Sequence, residues 1–206
     1  NYACELFGPL PGGAADRDAI TSFLQGSCNF EVENLHDANV ETVNAKFQEF
    51  IKMANSMKEK NNNALIFVYY SGHGSIQKSL SCGHSPDGRV IELEALCSQL
   101  CNWNTFVICM YQCCREDLKN SATATGEGFQ SSEGNCYLIY MAKPRDFAKG
   151  DAKGGVSQGT KSFLDHINKS NEDFPMCLYD WKDKKGDVEL VDFTSTLVTL
   201  KISQEE

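Results

Sequence analysis

Apolar side chains cluster along this chain in short runs separated by turn-forming residues, and runs of that length predict β-strands. They cover residues 2–7, 30–35, 64–70, 105–111, 136–141, 176–179 and 197–202. Between several of them the apolar period lengthens to that of a helix. The clearest case follows Asn39, a side chain suited to cap a helix start. Val40, Val43, Phe47, Phe50, Ile51, Ala54 and Met57 then share one face, and the polar run 58–63 ends it. Shorter helices are predicted over 16–26, 91–101 and 160–167. Strands alternating with helices imply an α/β fold, a mostly parallel central sheet covered by helices on both faces.

With 206 residues, 41% of them hydrophobic, the chain can bury one substantial core, and we read residues 1–206 as a single domain. Two long stretches, 119–135 (rich in Ser, Thr and Gly) and 147–159 (rich in Gly and Lys), read as loops within it. No apolar run approaches the ~20 residues that cross a bilayer, so no membrane contact is expected. No basic segment followed by an apolar stretch opens the chain, so no signal peptide is expected, and the missing initiator Met fits a piece of a longer protein. The net charge of −9 and the scattered Lys and Arg argue against nucleic acid as a partner. Ten cysteines in a chain with this much apolar content are expected as free thiols in a reducing, cytoplasmic compartment rather than as disulfide staples.

Two of the apolar runs end in reactive residues. Residues 64–70 lead into Ser71, Gly72, His73 and Gly74, and residues 105–111 lead into Gln112, Cys113, Cys114 and Arg115. Near-continuous apolar runs are how buried strands of a parallel sheet read, and ligands of such sheets bind beyond the carboxyl ends of the strands. A histidine and a cysteine on two such ends would share one crevice, as a thiol nucleophile and its base require. Cys114 is preferred to Cys113 as nucleophile because it immediately precedes the polar run Arg115, Glu116, Asp117, whereas Cys113 reads as packing. Gly74 and Cys114 can offer backbone N–H groups to an oxyanion. Neither motif supplies a third catalytic side chain.

The residues Tyr69-Tyr70-Ser71-Gly72-His73-Gly74, followed about forty positions later by Gln112-Cys113-Cys114-Arg115, resemble the caspase-like cysteine peptidases (clan CD, family C14). The segment Phe30-Glu31-Val32, then Leu35 and Asp37, then the long helix to Phe50, is most similar to paracaspases. The resemblance implies the caspase–hemoglobinase fold, a cysteine endopeptidase acting on protein or peptide substrates, and a His73–Cys114 dyad. It also implies that 119–135 is the linker between subunits and that the strand 197–202 pairs with its copy in a homodimer. The chain departs from the pattern at Gln112, where paracaspases and metacaspases usually have Asp but caspases have Gln, which by itself implies cleavage after Asp, and at Glu116, where caspases have Gly. At the places of the two caspase arginines that hold an acidic P1 side chain stand Leu10 and Gly150, with Arg145, Lys149 and Lys153 nearby in sequence. Asp16 matches the acid with which paracaspases and metacaspases hold a basic P1 residue, its alternative being a helix cap, and Gln112 would assist. Cleavage after Arg or Lys is therefore expected.

Other functions compete. A catalytically silent caspase-like scaffold would pair with an active relative, and the vicinal Cys113-Cys114 suggests a thiol redox protein, although the Cys-X-X-Cys geometry is absent. Cys97 and Cys101 with Cys82 and His84 fit no standard zinc spacing, so no metal is expected. His36 and His166 read as surface or helix-face residues. Without a phosphate-binding Gly-rich loop no nucleotide, and no other cofactor, is implied.

Overall fold

The computed structural model describes residues 8, 10–77, 80–117, 135–142, 150–151, 153–169 and 189–192. In chain order these form α1 (Gly13–Ser27), α2 (Val40–Glu59), β1 (Ala64–Ser71), β2 (Gly74–Gln77), β3 (Leu80–His84), β4 (Val90–Ile91), α3 (Leu93–Ser98), β5 (Thr105–Gln112), β6 (Glu116–Asp117), β7 (Asn135–Tyr140), α4 (Gln158–Ile167) and β8 (Glu189–Asp192). The predicted strands at 2–7, 176–179 and 197–202, and nearly all of the loop 119–135, lie outside the described residues.

The main sheet has the strand order β1-β5-β7-β8; β1, β5 and β7 run parallel, and β8 is antiparallel to β7. All eight residues of β5 are buried, as its unbroken apolar sequence requires of a strand covered on both faces. Alternation along β5 divides the core. Val107, Cys109, Tyr111 and Cys113 pack with α2 and α3 residues such as Val43, Ala54, Leu96 and Cys97. Phe106, Ile108 and Met110 pack on the opposite face with Ile20, Phe23 and Leu24 of α1 and Phe163 of α4. The predicted α/β architecture with helices on both faces is thus the architecture observed.

Helix α2 begins where expected, with the Asn39 side chain accepting from Thr42 N at 2.8 Å. It stops because Asn61 turns to the left-handed region (φ 53°), and Asn62 N closes onto Met57 O at 2.9 Å. Three expectations are corrected. Residues 30–35 form no strand: Phe30 and Val32 alternate toward the core as a strand's would, yet no neighbour among the described residues supplies a ladder. The helix expected over 91–101 shrinks to Leu93–Ser98, because Ile91 is taken into β4 opposite Gly83. The first helix starts at Gly13, not Asp16, with Gly12 as its N-cap.

A second sheet, order β4-β3-β2-β6, went unpredicted. Its strands, such as Gly74-Ser75-Ile76-Gln77, have only two to five residues, too few to carry a strand pattern of their own, so their pairing comes from contacts remote in sequence.

Phe163 is fully buried and meets Phe23 edge-to-face at 6.3 Å, joining α4 to α1 over the sheet. Phe163→Ala should destabilise the fold by about 3–5 kcal/mol in a denaturant titration. A loss below ~1 kcal/mol would mean that α4 contributes little to this core.

Candidate active site

The pairing register joins the two motifs. Along β1 and β5 each residue faces the one 41 positions later, from Ala64 opposite Thr105 to Ser71 opposite Gln112. After a break of three residues the same offset resumes in the second sheet, with Ser75 opposite Glu116 and Ile76 opposite Asp117. His73 and Cys114 are themselves 41 positions apart, so they occupy matching places in the gap between two parallel ladders. Gly72 N, donating to Gln112 O at 3.3 Å, holds the near side of that gap.

Gly74 shows how closely the two chains approach there. A Cβ on it would lie 2.7 Å from the Cys113 Cβ and Sγ and from the Cys114 carbonyl oxygen, a distance that only glycine avoids. Cys114 is half-buried, whereas Cys113 is 2% exposed within the core and burial pushes its thiol up to about 12. The two vicinal thiols therefore have different environments, one half-buried and one sealed within the core.

His73 Nε2 lies 2.7 Å from the Gly8 carbonyl oxygen. A carbonyl can only accept, so Nε2 carries the proton, and the neutral ring keeps Nδ1 as its basic nitrogen. Gly8 is the orienting group absent from both motifs; a backbone carbonyl carries no side-chain signature by which a sequence could reveal it. Beside His73, the imidazole of His84 is buried, lies 2.9 Å from Ser75 Oγ through Nε2, and is pushed below its ordinary value by burial and then by His73.

Arg115 points inward instead of marking an exposed strand end. It is 6% exposed, stacks 3.8 Å from the Tyr140 ring centroid, and donates to Ser81 Oγ at 3.1 Å and Ala142 O at 3.4 Å. Glu94 completes this buried group by accepting from Ser81 N and Tyr140 Oη, each at 2.7 Å, while burial raises its carboxyl above the usual range.

Asp16 is not a cap: it sits in the first turn of α1, 2% exposed, with its carboxylate turned to the carboxyl end of β1. It accepts from Ser71 Oγ at 3.0 Å and from Ser157 N, just ahead of α4, at 2.7 Å. Neighbouring Tyr69 bonds to Thr160 Oγ1 at 2.7 Å, and burial followed by the Asp16 charge pushes its phenol up, so it stays protonated. No cation among the described residues pairs with Asp16. On the same face of the sheet, Gln112 is 5% exposed, and its Oε1 has no hydrogen-bond partner among the described residues. The structure thus brings together Asp16 and Gln112 at the strand ends that carry His73 and Cys114. Leu10 and Gly150 are exposed and uncharged, Lys153 is exposed, and Arg145 and Lys149 lie outside the described residues.

The residues considered as metal ligands have other partners. Cys97 accepts from Tyr111 Oη at 3.2 Å inside the core and His84 is bonded to Ser75, and no metal-ligand group forms among the described residues. His36 is exposed beside Asp37, and no described helix is long and apolar enough to cross a membrane.

The caspase-domain family model matches residues 1–185, and no curated protein matches the chain.

The contrast between the two thiols is measurable. Iodoacetamide at pH 8 should alkylate Cys114 while sparing Cys113, whose thiolate is scarce until the pH nears 12. The sign for stability follows: protonation of Cys113 favours the folded state below the ordinary thiol value, and that contribution is lost as the pH rises toward 12. Peptide mapping that found both labelled at similar rates in the folded protein would contradict this assignment.

Proposed function

The chain belongs to the caspase-domain family of cysteine peptidases, and from that premise and the geometry of its site we propose that it is an endopeptidase that cleaves after basic residues through His73 and Cys114. The observation that supports the reading is the shared register: both ladders keep an offset of 41, which is also the spacing of His73 and Cys114. The Gly8 carbonyl fixes the imidazole tautomer, leaving Nδ1 to take the Cys114 proton. The thiolate attacks the scissile carbonyl, and the oxyanion is met by the N–H groups of Gly74 and Cys114. Collapse breaks the C–N bond, His73 returns the proton to the leaving amine, and a thioester remains on Cys114. Water, deprotonated by His73, then releases the acid and restores the thiol.

The basic preference rests on Asp16 and Gln112. Among the described residues Asp16 is buried without a counter-cation and the Gln112 amide oxygen without a donor, and both conditions are costly. An Arg or Lys side chain at P1 supplies both the charge and the donors. An acidic P1 residue would need a free cation. Arg115 is held by Tyr140, Ser81 and Ala142, and Leu10 and Gly150 carry no charge.

A positional-scanning peptide library tests the assignment. Cleavage should follow Arg or Lys, vanish in Cys114→Ala, and fall by about 10²- to 10⁴-fold in His73→Ala. Asp16→Asn should lower kcat/KM for the basic substrate by about 100-fold. Strong cleavage after Asp with none after Arg or Lys would overturn the specificity. Hydrolysis that persists in Cys114→Ala would overturn the mechanism.

A further inference from the structure

His73 stands between two glycines, so its main chain has little intrinsic stiffness, yet its ring must stay aligned with Gly8 O on one side and Cys114 on the other. The main chain is held from below. Tyr70, three residues earlier on β1, directs its hydroxyl onto the His73 carbonyl at 2.7 Å. The His84 N–H, from β3, donates to the same carbonyl at 3.0 Å and lies 3.1 Å from the Tyr70 hydroxyl, which also reaches His84 O at 3.3 Å. The phenol thus fits between the backbones of His73 and His84 and bonds to both.

The seat for that phenol is made by a missing side chain. A Cβ on Gly83 would lie 2.6 Å from Tyr70 Cζ and 2.8 Å from its Oη, so only glycine at 83 leaves room for the hydroxyl. The far end of the segment is fixed as well, by the buried contact of 2.9 Å between His84 Nε2 and Ser75 Oγ.

We propose that Tyr70, seated by Gly83, is a positioning residue for His73: its hydroxyl and the His84 N–H clamp the His73 carbonyl and thereby hold the imidazole in line with Cys114. The inference rests on the dyad reading above, and the test separates the two. Tyr70→Phe keeps the ring and removes only the clamping oxygen, whereas Gly83→Ala displaces the phenol while keeping its oxygen. For the best basic peptide substrate each variant should lower kcat by about 10- to 100-fold and leave KM within about twofold, because misplacement of a reacting group by ~1 Å costs about that much. The second readout needs no turnover: nitrogen NMR of histidine-labelled protein should show His73 as the Nε2–H tautomer in the parent and as a mixture of tautomers in Tyr70→Phe. An unchanged kcat in Tyr70→Phe overturns the proposal, and so does a lowered kcat with the single tautomer retained, since the loss would then not run through His73. Failure of the dyad reading shows separately, as hydrolysis that survives Cys114→Ala, and the tautomer measurement still decides the clamp.

Discussion

The parallel pairing of β1 with β5 keeps one register across a break, and the candidate site is that break. Both strands lose their ladder after Ser71 and Gln112 and regain it, at the same offset, from Ser75 and Glu116. Residues between the two ladders are released from the pairing of these two segments with each other, while their positions stay fixed from both sides. His73 and Cys114 stand in that break rather than inside a strand, where their side chains would be committed to packing. The same geometry also explains the glycine at 74, because the two chains approach too closely there for any side chain.

Around that gap the two sides of the sheet do different work. On the side of α1 and α4 lie the Asp16 carboxylate, which no cation among the described residues pairs, and the Gln112 amide oxygen, which has no hydrogen-bond partner among them, at the ends of the strands that lead to His73 and Cys114. On the other side Arg115, Tyr140, Glu94 and Ser81 form a buried polar group. Buried charges of this kind are costly unless matched, so the inward Arg115 is intelligible only with Glu94 and Tyr140 in place. The arginine that the sequence sets beside Cys114 is thereby a structural cation.

Legibility in the sequence follows from how local each cause is. Strand β5 was readable because burial on both faces leaves an unbroken apolar run, and α2 because its cap and its stripe are both local. The two reactive residues could be placed at strand ends for the same reason. The strands of the small sheet were not readable, since Gly74–Gln77 and Leu80–His84 pair through partners their own composition does not announce. The inward turn of Arg115 depends on Glu94 and Tyr140, 21 positions before it and 25 after it. Asp16 read equally well as a cap until the helix proved to start at Gly13. The orienting carbonyl of Gly8 had no signal at all.

The central claim is that the register makes a reactive pair of His73 and Cys114, and covalent labelling with a peptidyl acyloxymethyl ketone bearing Arg at P1 tests it most directly. Such a reagent requires a thiolate aligned with a bound peptide, not merely an accessible thiol. The account predicts one adduct, mapped by mass spectrometry to Cys114, that forms far more slowly in His73→Ala. An adduct on another cysteine, or labelling of Cys114 at an unchanged rate without His73, would contradict it.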